Sequence, residues 1–372
     1  MKFSVQRETL LRPLSIVAGA VERRNTMPIL ANMLFVVKGN KLTITGTDLE
    51  VELRAQLQVN NDSGGGESIT VPARKILDIC KSLPESSEIK FSSEESRVVV
   101  KAGRSRFALA TLSAKDFPAV QRDERSFSVT VSQSELAALI QKTAFSMAQQ
   151  DVRYYLNGML WEIDDKILRA VSTDGHRLAI AEIKLAKPTG EPLQQVIVPR
   201  KGVLELSRLL ADEDQSENIE LEFGGNHISA ASDDLVFVSK LVDGKFPDYK
   251  RVLPKGGDKR VVADRQQLRD ALQRAAILSN EKFRGVRFSL EAGTIGVQAN
   301  NPEQEEASEE LSVDYQGDSL EMGFNVSYLI DVLGVLNSET IIMTLSDSNS
   351  SALIQDGDSS NAAMYVVMPM RL

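Results

Sequence analysis

Apolar and polar residues alternate over Lys2–Gln6, and apolar positions then recur at helical spacing through Glu8–Val21, at Leu10, Leu11, Leu14, Val17, Ala18 and Val21. A period of two predicts a half-buried strand, and a period near 3.6 predicts an amphipathic helix. On this basis strands are expected at Met33–Val37, Lys41–Thr45 and Glu50–Val59. The polar, glycine-rich Asn60–Glu67 reads as a hairpin loop. A strand at Ser68–Val71, a helix at Arg74–Ser82 and strands at Glu88–Phe91, Arg97–Ala102 and Arg106–Leu112 complete the first third. The middle third repeats the order. It has a strand at Phe127–Val131, a helix at Ser134–Ala148 with Ser134 as its expected N-cap, and strands at Gly158–Ile163, Ile167–Ser172, Arg177–Ile183 and Gln195–Val198. A helix at Lys201–Leu210 then precedes strands at Ile219–Phe223, His227–Ala231 and Leu235–Lys240. The last third gives a strand at Arg260–Ala263, a helix at Arg265–Leu278, and strands at Gly285–Leu290, Thr294–Ala299, Ser308–Asp314 and Ser319–Phe324. The helix Ser327–Leu336 and strands Thr340–Leu345, Ser351–Gln355 and Ala363–Met368 close it.

The order recurs because the sequence recurs. Asp48 in Gly46-Thr47-Asp48 is followed 126 residues later by Asp174 in Ser172-Thr173-Asp174, and 127 further on by Asn301 in Ala299-Asn300-Asn301. Pro72, Pro199 and Asn325 are spaced in the same way, at 127 and 126. A period that long is the size of a whole domain. The chain therefore reads as one fold in three tandem copies, with boundaries expected at 1–125, 126–253 and 254–372. Two helices against antiparallel strands in each copy make the class α+β, with the helices expected on one face.

Charge sharpens this picture. The net charge is -9, but residues 1–125 carry 19 Lys+Arg against 15 Asp+Glu, whereas residues 254–372 carry 10 against 18. A basic front and an acidic end suit head-to-tail association. Arg and Lys also recur in or beside the helices, while acids gather in Asp212–Asp214, Glu303–Glu310 and Asp356–Asp358. A basic helical face attracts phosphate without reading bases. The single Cys80 rules out an internal disulfide and fits a reducing, cytoplasmic setting. No apolar run reaches the roughly 20 residues of a membrane span.

Candidate chemistry is sparse. With two histidines, His176 and His227, and one cysteine, no metal site is expected, nor any cofactor. Asp174 and His176 could be read as a catalytic pair in a hydrolase, but an Asp-Gly turn is explained by backbone geometry. The apolar end, Tyr365–Leu372, suits a tucked terminus or a Met-rich peptide groove. Arg153, Tyr154 and Tyr155 could contact phosphate and stack on bases.

Several longer stretches carry a resemblance. They are Gln150–Met159, Thr173–Leu178, Ser239–Tyr249, Ile277–Arg287, Asn300–Ala307 and Tyr365–Leu372. Together these resemble the β subunit of bacterial DNA polymerase III, the sliding clamps, over the whole chain. The resemblance implies three tandem DNA-clamp domains and a head-to-tail homodimer closing into a six-domain ring, with helices lining the hole around duplex DNA and antiparallel sheets outside. It implies a processivity factor that is not an enzyme, needs no cofactor, is opened by an ATP-driven clamp loader, and tethers polymerase III and other polymerases and repair proteins. A DNA-binding scaffold that does not encircle its duplex is the alternative.

The resemblance also implies residue roles. Arg24, Arg74, Gln150, Arg153, Tyr154 and Tyr155 would face DNA. Leu156, Thr173, Gly175, His176, Arg177, Leu178, Pro247, Arg251 and Val252 would form a cleft for linear motifs with Val366, Met368, Pro369, Met370, Arg371 and Leu372. At the dimer seam, Phe107 and Leu109 would pack on Ile277 and Leu278. Lys75, Arg97, Arg104 and Arg106 would face Glu303, Glu305, Glu306 and Glu309. Glu22 stands beside Arg24 where the family often has a glycine-rich loop, and Glu310 occupies a position expected to be apolar.

Overall fold

Each copy starts its second helix directly after the last residue of a strand, at Pro72, Pro199 and Asn325. Pro72 and Asn325 are the N-caps of two such helices and Pro199 immediately precedes the third, which accounts for their spacing. The Asn325 side chain accepts a hydrogen bond from the Ser327 amide at 2.9 Å, as an N-cap should. The structure, a computed structural model, describes residues 1–22, 27–61, 66–118, 127–190, 192–211, 218–358 and 363–371.

The first copy contains β1 (Lys2–Gln6), α1 (Arg7–Val17), β2 (Asn32–Lys38), β3 (Lys41–Thr47), β4 (Val51–Gln58), β5 (Asn60–Asn61), β6 (Glu67–Pro72), α2 (Ala73–Ser82), β7 (Glu88–Glu94), β8 (Arg97–Ala102) and β9 (Ser105–Ala110). The second contains β10 (Phe127–Ser132), α3 (Gln133–Thr143), β11 (Gly158–Ile163), β12 (Ile167–Thr173), β13 (Arg177–Lys184), β14 (Gln194–Pro199), α4 (Arg200–Leu210), β15 (Asn218–Phe223), β16 (His227–Ala231) and β17 (Leu235–Lys240). The third contains β18 (Lys259–Asp264), α5 (Arg265–Ile277), β19 (Gly285–Glu291), β20 (Thr294–Asn300), β21 (Glu306–Ser312), β22 (Leu320–Asn325), α6 (Val326–Val335), β23 (Thr340–Leu345), β24 (Ala352–Asp356) and β25 (Met364–Val367).

Two sequence expectations need correction. Ser134 lies inside the first turn of α3, and its hydroxyl meets that of Ser132 at 2.8 Å; it is not the N-cap. The start of the supposed hairpin loop, Asn60–Asn61, is a short strand on the edge of β1, where Phe3 and Ser4 pair with it.

The chain divides into two units, Met1–Ser134 with Lys201–Leu241, and Glu135–Arg200 with Val242–Leu372. The first holds a five-stranded sheet, β5-β1-β7-β8-β9, and an eight-stranded one, β10-β15-β16-β17-β4-β3-β2-β6. The second holds the eight-stranded β14-β11-β12-β13-β25-β24-β23-β18 and the four-stranded β21-β20-β19-β22. All pairs between neighbouring strands are antiparallel.

These strand orders follow one rule. In every copy the first strand pairs with the first of a later three-strand meander, and an earlier meander is flanked by the strand before the second helix. The last strand of one copy then joins the third meander strand of the copy before it. β17 pairs with β4, Phe237 opposite Leu53, and β25 pairs with β13, Val366 opposite Leu178. The sheets thus run from copy to copy. Among the described residues, β9 and β21 are the sheet edges this joining rule leaves without the neighbour it supplies elsewhere.

Helices bury the faces their spacing predicts: Leu10, Leu14 and Val17 on α1, Leu136, Leu139 and Ile140 on α3, and Leu268, Ala271, Leu272 and Ala275 on α5. Cys80 is fully buried on α2, and burial pushes its thiol up to about 11, which leaves it an inert hydrophobe.

Candidate functional site

The Thr173–Arg177 turn, which joins β12 to β13, is built by its own side chains. Asp174 Oδ1 accepts the amides of His176 and Arg177 at 2.9 and 3.0 Å. Thr173 Oγ1 accepts the Gly175 amide at 3.0 Å and donates to the Arg177 carbonyl at 2.6 Å. Gly175 sits at φ +90°, a conformation glycine adopts without a Cβ penalty. Asp174 is thereby committed to backbone and to Arg177 Nε at 3.1 Å, and among the described residues it makes no hydrogen bond to the His176 ring. A catalytic pair is absent from this geometry.

Arg177 is the hub of the turn. Its Nη1 donates to Asp331 of α6 at 2.5 Å and its Nη2 to the Phe145 carbonyl at 2.9 Å. The guanidinium lies 4.4 Å from the centre of the Tyr328 ring and 5.2 Å from that of Phe145. Such stacking, together with paired hydrogen bonds, suits arginine and no other cation. The side chain is accordingly a structural tie between the second and third copies.

Beside this turn lies a cleft of about 360 Å³, a size suited to a few side chains of a ligand. Leu156, Leu178, Phe246, Tyr249 and Val366 are its buried apolar lining, and Thr173, Gly175, His176, Arg177 and Pro247 join them. Val252 and Met368 stand exposed at its rim, at 57% and 48%. The chain end reaches it as an added strand: β25 pairs with β13, and the Met368 amide then donates to the His176 carbonyl at 3.0 Å. Sequence reasoning missed Phe246, Asp248, Tyr249 and Ser351, which also line the cleft. It placed Arg153 on a DNA face, yet Arg153 lines this cleft as well, with Nη2 2.8 Å from Asp151 and 3.3 Å from the Asp174 carbonyl. Arg251 points to Asp248 at 2.9 Å and is not part of the lining. Pro369, Met370 and Arg371 also lie outside the lining, and the Met370 amide instead bonds the Gly323 carbonyl at 2.8 Å. Leu372 falls outside the described residues.

Behind the cleft, Glu162 is buried on β11. It accepts from the Tyr249 hydroxyl at 2.5 Å, from Gln195 at 2.6 Å and from Arg169 at 3.0 Å. Burial opposes its ionisation, but these hydrogen bonds together hold the carboxyl below its ordinary value. Burial first, and the Glu162 carboxylate second, push the Tyr249 phenol up to about 12.

Of the other expected DNA-facing residues, Tyr154 is 57% exposed and meets Tyr155 edge-on at 5.7 Å between ring centres. Gln150 is exposed beside them at φ +55°, Arg74 is exposed on α2, and Arg24 lies outside the described residues. Of the expected seam residues, Lys75, Arg97, Arg104 and Arg106 are exposed and Phe107 is half-buried. Leu109 is already buried within its own unit. On the other side Ile277 is 76% exposed, with Glu303 and Glu306 also exposed. Leu278 is half-buried, Glu305 is held by Asn301 at 2.6 Å, and Glu309 by Arg274 at 2.6 Å.

Known proteins share this whole arrangement. The family models for the DNA polymerase III beta subunit match as N-terminal domain over residues 1–121, central domain over 130–248 and C-terminal domain over 250–371. A beta sliding clamp of Pseudomonas putida is 59% identical over 372 residues, covering both chains fully, and one of Pseudomonas aeruginosa is 58% identical at the same coverage. A crystal structure of the Pseudomonas aeruginosa sliding clamp bound to griselimycin superposes with a TM-score of 0.95 at 57% identity, covering all of both chains. The chain belongs to the DNA polymerase III beta subunit family, the beta sliding clamps.

Proposed function

We propose that two copies of this chain close head to tail into a six-domain ring around duplex DNA, and that the cleft beside Thr173–Arg177 holds short motifs of the proteins the ring tethers. As a beta sliding clamp the chain serves DNA polymerase III as a processivity factor. The observation that carries the ring is the pair of leftover edges. Every other final strand joins the third meander strand of the preceding copy, so among the described residues β9 lacks the neighbour this rule gives the other final strands and β21 lacks the strand it would receive. Two different edges on one chain make a head-to-tail contact, which closes when the rotation allows. An open edge is otherwise a hazard for uncontrolled pairing. Exposed Arg104 and Arg106 on the one side and Glu306 and Glu310 on the other supply matching charge. Glu310, unexpected in sequence, fits this edge as a charged strand residue.

Threading explains how a clamp can hold DNA and still move. A ring is retained by topology, so phosphate contacts from Arg74, Arg153 and Arg24 can stay few, and sliding is not braked. Gln150, Tyr154 and Tyr155 would touch the same duplex. A polymerase bound at the cleft gains a high effective concentration at the primer end. The cleft fits an apolar peptide: its floor is buried and apolar, and its rim carries the adaptable Met368. The griselimycin complex of the Pseudomonas aeruginosa relative supports a ligand site on this fold. No step of this function requires catalysis, and a clamp loader, replicative and other polymerases and repair proteins in the cytoplasm are the partners it calls for.

Charge reversal of Arg104 and Arg106 tests the seam. The variant is expected to sediment as a monomer while retaining its fold; an unchanged dimer contradicts the assignment. Met368→Arg tests the cleft. Griselimycin binding is expected to fall at least a hundredfold, and normal binding contradicts the site.

A further inference from the structure

The cleft wall from Phe246 to Val252 has little backbone holding it. Among the described residues, the backbone hydrogen bonds of Asp243–Asp258 stay within one short turn, Arg251 to Asp248 at 3.2 Å and Val252 to Tyr249 at 3.1 Å. Its side-chain ion pair, Arg251 to Asp248, is likewise internal. Phe246 and Tyr249 bury their rings in the core beneath, but apolar contact does not fix direction. Among the described residues, its polar tie to the body of the unit is the Tyr249 hydroxyl, which reaches Glu162 at 2.5 Å and Arg169 at 3.4 Å.

That hydroxyl lands on a straight row of charged and polar residues. Gln195, Glu162, Arg169 and Glu182 lie directly opposite one another on β14, β11, β12 and β13. Arg169 joins Glu162 at 3.0 Å and Glu182 at 2.8 Å. The fold does not require this row. At the same register the first copy has Ser68, Val36, Thr43 and Gln56. The third has Glu321, Ser289, Gly296 and Glu310. Neither copy buries a carboxylate in this row. A charged network around a buried carboxylate that the fold can do without, beneath a segment with few backbone ties, requires a local reason.

We infer that Tyr249 is a positioning residue for ligand binding: its bond to the Glu162 row fixes the wall that carries Pro247 and Val252, and so sets the affinity of the cleft. A directional bond to a buried carboxylate is strong and fixes geometry as well as position. The inference rests on the cleft being the ligand site proposed above.

Griselimycin titration of the Tyr249→Phe variant tests it, with Ile341→Val as a control that loosens the buried core on β23 without touching the wall. Tyr249→Phe keeps the ring and removes the bond. It is expected to bind about tenfold more weakly, with amide exchange at 246–252 at least tenfold faster and exchange in β11 and β12 unchanged, while Ile341→Val binds as the parent does. Binding by Tyr249→Phe within twofold of the parent overturns the inference. So does an equal loss in Ile341→Val, which would make the effect one of general stability. A parent chain that fails to bind griselimycin overturns the cleft reading itself, and the inference with it.

Discussion

The Thr173–Arg177 turn has a twin at Thr47–Val51, and the two differ in what was placed on them. Asp48 Oδ1 accepts the amides of Glu50 and Val51 at 2.9 and 2.7 Å, and Thr47 Oγ1 accepts the Leu49 amide at 3.0 Å. Both turns also tie neighbouring copies together. Asp48 meets Lys201 of α4, and the second turn reaches Asp331 of α6 through Arg177. The strands that follow are in the same register. Glu52 lies opposite Val238 and Arg54 opposite Val236, where the second copy has Leu178 opposite Val366 and Ile180 opposite Met364. Glu52 and Arg54 form an ion pair at 2.8 Å on the face where the second copy has Leu178 of the cleft lining and Ile180 of the apolar core next to it. The cleft is therefore a matter of side chains on a repeated backbone, and the backbone alone does not make one.

Transplanting the first copy's pair tests that most severely. The double variant Leu178→Glu/Ile180→Arg is expected to keep its sheet, as seen by circular dichroism, and to lose griselimycin binding by more than a hundredfold. Retained binding would show that the lining is not what distinguishes the two turns. Next in size comes the backbone. Gly175→Ala places a Cβ at φ +90°, 3.0 Å from the Arg153 guanidinium, and should cost roughly 1–2 kcal/mol in urea unfolding as well as weaken the cleft. The twin supplies the converse, since Leu49 holds φ +79° with a bulky side chain. Leu49→Gly should stabilise the protein by about 0.5–1 kcal/mol, the strain relieved outweighing the entropy glycine adds to the unfolded chain. No gain would mean that the packing of Leu49 offsets its strain.

The smallest effect is in alkali. Cys80 in the first copy is held up to about 11 and Tyr249 in the second unit up to about 12, both chiefly by burial. A raised pKa contributes stability that is complete below the unfolded value and is lost as pH rises through the folded one. From the unperturbed values of 9.0 and 10.0 upward, each group should thus draw the folding equilibrium toward the unfolded chain. Melting temperatures measured from pH 9 to 12 should fall throughout, with the Cys80→Ala variant sparing the lower half of the fall. A flat profile contradicts both burial assignments.

Much of this was legible from local pattern. Strands such as Lys2–Gln6, Arg97–Ala102 and Thr340–Leu345 fall where alternation put them, because one face of each packs on a core. Asn60–Asn61 was missed because two polar residues carry no alternation to read, and they form a strand only by lying against β1. The joining of β17 to β4 and of β25 to β13 was equally hidden. Pairing between distant strands is set by register over the whole sheet, not by the residues of either strand. At the cleft, the turn, the floor residues and Met368 followed from the resemblance. Phe246 and Tyr249 did not, because they sit in a stretch with no regular period. Glu162 did not because an acidic residue in an alternating strand reads as solvent-facing.

The central claim is enclosure of DNA by paired edges. The direct measurement is retention of the loaded protein on nicked circular DNA through a high-salt wash, before and after a single cut linearises the circle. Enclosure predicts that the protein stays on the circle and leaves the cut molecule over its ends. A protein that remains on the linear DNA, or never survives the wash on the circle, contradicts it.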